Sequence, residues 1–95
     1  MLEALDGIRE MKAIDIYTSP FCGFCFSAKR LLSEKGVTFR EIDVTQDPAI
    51  RQQMMKRANG KYTVPQIFVG EHHVGGCNEL YVLERAGKLD PLLAA

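Results

Sequence analysis

A short apolar strand, Ala13-Ile14-Asp15-Ile16-Tyr17, leads through Thr18–Phe21 into Cys22-Gly23-Phe24-Cys25 and then an amphipathic helix. This junction restricts the fold more than any other stretch. A strand that feeds a helix and then a second strand predicts a right-handed crossover with the two strands parallel. The cysteines sit at the turn, and we expect the helix to begin near Cys25. A thiol there faces unpaired backbone N–H groups and the positive end of the helix dipole, and both favour the thiolate. Free cysteine titrates near ~8.5, and such placement in a Cys-X-X-Cys lowers that by one to several units. Cys22 is therefore the candidate nucleophile. Cys25, one helical turn on, can close an intramolecular disulfide with it. The motif points to thiol–disulfide exchange.

Ninety-five residues allow one domain. With 46% hydrophobic residues and eight aromatics the chain can build a real core. A domain of this size buries about 60–65% of its unfolded surface. The formal net charge is zero, so nucleic acid and anionic membranes are not expected as main partners. No apolar run approaches the roughly 18 residues of a membrane span. Residues 1–12 lack the basic-then-apolar order of a signal peptide. Three cysteines are too few, and odd in number, for a secreted disulfide framework. A reducing cytoplasm with catalytic sulfur is the expectation.

Residues 1–10 read as a short helical or frayed preface, and Met11 is a candidate alternative start. We take 1–11 as an N-terminal extension and 12–95 as the domain. The first helix is expected over about 25–35, burying Ala28, Leu31 and Leu32 and stopping at Gly36. Residues 38–44 alternate as a second strand. Asp47-Pro48 supplies an N-cap and a first-position proline for a helix burying Ile50, Met54 and Ala58. Strands follow at 64–69 and 73–75, joined by Gly70-Glu71 as an antiparallel hairpin. A third helix from about Cys77 buries Leu80, Leu83 and Ala86 and stops at Gly87. Leu89–Leu93 makes a last turn. The order is β-α-β-α-β-β-α, with helices on both faces of a four-stranded mixed α/β sheet.

Three segments in this order resemble the glutaredoxins, in particular the small bacterial dithiol type: 17–25, Thr63-Val64-Pro65-Gln66-Ile67-Phe68, and Val74-Gly75-Gly76-Cys77-Asn78. The similarity spans residues 11–93. It implies a thioredoxin fold and a glutathione-dependent reductase of protein–glutathione mixed disulfides and protein disulfides, with glutathione as co-substrate. It also implies a cis Val64–Pro65 bond against the reactive sulfur, exposing the Val64 backbone to the tripeptide alongside Thr63. Gly76 with the N–H groups of Cys77 and Asn78 would take the γ-glutamyl carboxylate, a role consistent with glycine's close approach at a helix start. Gln52 and Lys61 match positions that approach the glycine carboxylate; otherwise they belong to a solvated surface.

The chain departs from the common pattern at three places. Cys-Pro-Tyr-Cys is replaced by Gly23 and Phe24; position 19, often Lys or Arg, is Ser; position 78, often Asp, is Asn followed by Glu79. These changes predict weaker glutathione binding unless Glu79 stands in for the aspartate. Gly23 also brings the motif close to the Cys-Gly-Phe-Ser of monothiol members. The alternative reading is therefore a dimeric [2Fe–2S] carrier with Cys22 and glutathione as ligands, in place of a monomeric enzyme. Against it, the Trp-Pro dipeptide and the insertion of that class are missing. A zinc site using His72 and His73 is disfavoured, because neighbouring strand residues point to opposite faces and no second ligand pair exists. The histidines read as exposed hairpin residues, and Cys77 as a bystander sulfur. Thioredoxin's Trp-Cys-Gly-Pro-Cys does not match.

Overall fold

The computed structural model describes residues 12–94. The preface expected over residues 1–10 and the candidate start at Met11 lie outside the described residues.

Four strands form one sheet: β1 (Ile14–Thr18), β2 (Arg40–Asp43), β3 (Gln66–Val69) and β4 (His72–Gly75), in the order β2-β1-β3-β4. β1 and β2 are parallel, with Asp15 opposite Arg40 and Thr18 opposite Asp43. β3 is antiparallel to both β1 and β4, with a bulge at Ile67/Phe68. The helices are α1 (Gly23–Glu34), α2 (Pro48–Arg57), α3 (Cys77–Arg85) and α4 (Leu89–Leu93).

Alternation along the strands divides the core in two. Ile14, Ile16, Ile67 and Val69 point to one face and pack on Ala28, Leu31 and Leu32 of α1, Leu80 of α3 and Leu89 and Leu93 of α4. Tyr17 and Phe68 point to the other face, against Met54 and Ala58 at the end of α2. Both faces are thus covered, as the topology requires. On the second face Arg57 ties helix to sheet. Its guanidinium donates to Asp15 Oδ2 at 2.9 Å and Tyr17 Oη at 3.0 Å, and lies 4.1 Å from the Phe68 ring centroid.

Several boundaries move from the sequence expectation. β2 starts at Arg40 because the register sets Arg40 against Asp15, leaving only Ile14 of β1 before it. β3 starts at Gln66 because Pro65 has no N–H for the ladder. Ala86 is exposed as the residue capping the end of α3, and Leu83 is only partly buried. The helix stops hold: Gly36 (φ +75°) and Gly87 (φ +72°) both take the left-handed conformation.

Candidate active site

α1 begins two residues earlier than expected, and this changes which cysteine occupies the cap. Cys22 is the N-cap residue, in extended conformation, and its Sγ accepts the Cys25 N–H at 3.1 Å. A cap side chain accepting from the third helical residue is the arrangement Ser and Asp usually supply. With sulfur in that place, the bond and the helix dipole both favour a thiolate once the cysteine pair is reduced. Cys25 lies within the first turn and is 2% exposed, whereas Cys22 is partly open. The two are joined as a disulfide with Cα atoms 5.2 Å apart, inside the usual bridging range.

The chain before β3 closes the site from one side. Val64–Pro65 is cis, Pro65 is buried, and the Val64 carbonyl oxygen stands 4.0 Å from Cys22 Sγ. A polar chain that sequence reasoning missed supports this segment. Gln66, 2% exposed, donates through Nε2 to the Thr63 carbonyl at 3.0 Å and to Thr63 Oγ1 at 3.3 Å. Its Oε1 lies 2.7 Å from His73 Nε2, so the imidazole donates there. His73 is half-buried and stacks on Phe68 with centroids 4.8 Å apart. Burial, with Lys61 nearby, lowers its pKa. The expectation of two exposed histidines therefore fails for His73 and holds for His72. Cross-strand pairing brings His73 against Phe68; no local pattern encodes that.

At the start of α3, Gly76 is the N-cap and offers no side chain. Glu79 supplies the return bond instead: its Oε1 accepts the Gly76 N–H at 2.8 Å. Its own backbone N–H and that of Gly76 hold the Glu79 carboxyl below the usual range. Cys77 is buried and Asn78 exposed, and their first-turn N–H groups have no partner within the helix. Burial pushes the Cys77 thiol up. Lys61, Thr63, Gly76 and Glu79 line a common pocket of about 250 Å³ beside Gly75. Gln52 is not brought there; it lies on the exposed side of α2, in a groove with Thr45, Pro48 and Arg51.

A residue pattern of this kind has close relatives. The glutaredoxin family profile matches residues 14–74, about two thirds of the chain. The chain belongs to the glutaredoxin family. It is 52% identical to a Pseudomonas aeruginosa glutaredoxin over 85 residues, covering 90% of this chain and all of the relative. Among solved structures it is similar to a Brucella melitensis glutaredoxin in solution, at 51% identity and a TM-score of 0.78, covering 88% of this chain and 90% of that one. It is also similar to a buckwheat glutaredoxin–glutathione complex, at 28% identity and a TM-score of 0.77, covering 97% and 84%. The fold is accordingly the thioredoxin fold of glutaredoxins, and this glutaredoxin is a thiol–disulfide oxidoreductase with Cys22 and Cys25 as its redox-active pair. Among the described residues, no helix is long and apolar enough to cross a membrane.

Proposed function

We propose that this glutaredoxin reduces protein–glutathione mixed disulfides and protein disulfides with glutathione as electron donor. The observation that carries the reading is Cys22 Sγ at the N-cap of α1, accepting the Cys25 N–H beside the Val64 carbonyl. In the monothiol route the Cys22 thiolate attacks the glutathione sulfur of the mixed disulfide. The Cys22–glutathione bond forms as the protein sulfur leaves as thiolate and takes a proton. A second glutathione thiolate then attacks the bound glutathione sulfur, releasing Cys22 thiolate and oxidised glutathione. For a protein disulfide, Cys25 attacks Cys22 in the mixed disulfide and frees the substrate's thiolate. Two glutathiones restore the dithiol.

Glutathione would lie along Val64, next to Thr63 and Pro65, with its γ-glutamyl carboxylate on the N–H groups of Cys77 and Asn78. Lys61, which lines the same pocket as Gly76, is the candidate for the glycine carboxylate; Gln52 lines a separate groove and is the weaker candidate. The buckwheat complex supports a glutathione partner for this fold. Because Glu79 is engaged by the Gly76 N–H, the γ-glutamyl ammonium lacks the aspartate it would meet with Asp at position 78. Asn78→Asp should therefore lower the KM for glutathione by about threefold, the worth of one exposed ion pair. The working compartment would be the reducing cytoplasm and the working form a monomer.

Cys22→Ser should abolish every activity in the glutathione-coupled assay. Cys25→Ser should retain reduction of glutathione mixed disulfides and lose reduction of protein disulfides. Equal loss of both in Cys25→Ser would refute the division of roles.

One observation favours the second reading, a [2Fe–2S] carrier. A Cβ added at Gly23 meets nothing within 4 Å, so the side of the motif next to Cys22 is open. Cys22 would be the one protein ligand from each of two protomers, with glutathione thiols completing the set. Anaerobic reconstitution with glutathione separates the readings: a colourless active monomer retires the carrier, and a brown dimer establishes it.

A further inference from the structure

The strand order gives the cysteine pair two sides. Towards β3 stand Thr63, Val64 and Gly76. Towards β2 lies an open cleft of about 620 Å³ that both cysteines line, and none of those three residues contributes to it.

The β2 side has an apolar rim and an acidic floor. Phe21, on the rim, is fully exposed (107%) and Phe26 is 63% exposed. Among the described residues only five large hydrophobic side chains are exposed, and three of them, Phe21, Phe24 and Phe26, fall within four residues of Cys22. Phe21 also takes a left-handed backbone, φ +59°, which costs a non-glycine residue on the order of 1 kcal/mol. Neither its exposure nor its backbone favours phenylalanine in the isolated protein. Such a combination next to a nucleophile marks a contact surface.

The floor carries Lys29, Glu41 and Asp43. Lys29 Nζ is 2.9 Å from Glu41 Oε2, which also accepts from Thr18 Oγ1 at 2.8 Å. That pair is neutral overall. Asp43 Oδ1 accepts from the Thr45 side chain at 2.7 Å and its backbone N–H at 2.8 Å, and no cation pairs with it among the described residues. The floor is left with one negative charge. Glutathione, a net anion without an apolar side chain, gains nothing from such a surface.

We propose that this cleft docks the polypeptide on the substrate side of the exchange: a segment with an apolar residue beside its disulfide cysteine and a lysine or arginine further along. The apolar side chain covers Phe21 and Phe26, and the cation meets Asp43. The inference rests on the proposed function only in leaving the β3 side to glutathione. The step it serves is Cys22 attack on one substrate sulfur, with the other sulfur leaving as thiolate, followed by Cys25 attack on Cys22, which breaks the Cys22–substrate bond and releases the first substrate sulfur as thiolate.

The test is single-turnover reduction of two cyclic disulfide peptides by the pre-reduced protein without glutathione. One peptide has Leu and Lys beside its cysteine, the other Ser and Glu. The first should react about tenfold faster at low salt, from buried apolar area and charge together. Asp43→Asn, which keeps the Thr45 bonds, should remove about threefold of that preference and most of its salt dependence. Phe21→Asn, suited to the left-handed backbone, should remove the remainder, with Phe26→Ser as a second variant acting the same way. Glutathione–cysteine mixed disulfide reduction should stay within about twofold in all three, since only the β2 side changes. Equal rates for the two peptides, or equal losses on peptide and small substrate, would overturn the proposal. A wild-type protein that prefers the Leu/Lys peptide but fails with glutathione would instead refute the glutathione reading and leave the cleft standing.

Discussion

At Cys22 the sulfur stands where a hydroxyl or carboxylate ordinarily caps a helix, so once the disulfide is reduced backbone N–H groups favour its thiolate. The nearest side-chain cation in the cleft, Lys29, is engaged by Glu41 and contributes little to it. An unpaired cation at position 19 would act differently. Ser19→Lys should lower the pKa of the reduced Cys22, because a nearby cation favours the thiolate; an unchanged pH–rate profile would refute this. Gln66 is the second residue whose role rests on a network. Gln66→Leu would leave the His73 Nε2 donor without its acceptor and Thr63 without its donor. It should cost about 1–3 kcal/mol in urea unfolding and raise the KM for glutathione more than it lowers kcat, because the Thr63–Pro65 segment loosens.

Among the elements, α1 and α2 show what local sequence encodes. Asp47 accepts the Ala49 N–H at 2.9 Å and Pro48 takes the first position, as the Asp-Pro pair indicates. Asp47→Ala should lower stability by about 1 kcal/mol. The order of strands and helices, the inward stripe of Ala28, Leu31 and Leu32, and the Cys-X-X-Cys were all legible because each depends on neighbours within one or two turns. The start of α1 was not, because cysteine is not a usual cap and Gly23 is a poor helix former. The Gln66–His73 chain and the Lys29–Glu41 pair were not legible either, since each joins residues that meet only once the sheet has closed. Gly23 itself has no structural necessity: its φ is not positive and space surrounds it. Gly23→Pro at the first helical position should raise stability by about 0.4–1 kcal/mol, read as a higher thermal midpoint.

For the whole molecule, five groups predict how stability follows pH. Partial burial opposes charge on Asp15, but hydrogen bonds from Arg40 and Arg57 outweigh it and leave the carboxyl below its ordinary range. The bond from Lys29 lowers Glu41, and backbone N–H groups lower Glu79. A carboxylate lowered on folding stabilises fully above its unfolded pKa near ~4 and loses that contribution as pH falls through the folded value. His73 acts in the same direction at higher pH. Its folded imidazole resists protonation while the unfolded one charges near ~6.5, so stability declines below that point. Urea midpoints should therefore be flat between about pH 7 and 8, fall gently to about pH 5 and then more steeply, and decline again above about pH 8.5, where the unfolded Cys77 thiol ionises and the buried one resists. His73→Gln should remove the gentle decline and leave the others. The third cysteine has a use of its own. Cys77 is 8% exposed and unbonded, with a thiol that burial keeps protonated, whereas the motif cysteines are either joined to each other or open at Cys22. Brief alkylation of the folded protein should thus leave the oxidised form unlabelled and mark the reduced form first at Cys22. A denatured chase should then add one label to oxidised molecules and the remaining two to reduced ones. Intact mass after such a pulse and chase reports the redox state of every molecule, with Cys77 as the internal standard that confirms each chain was counted.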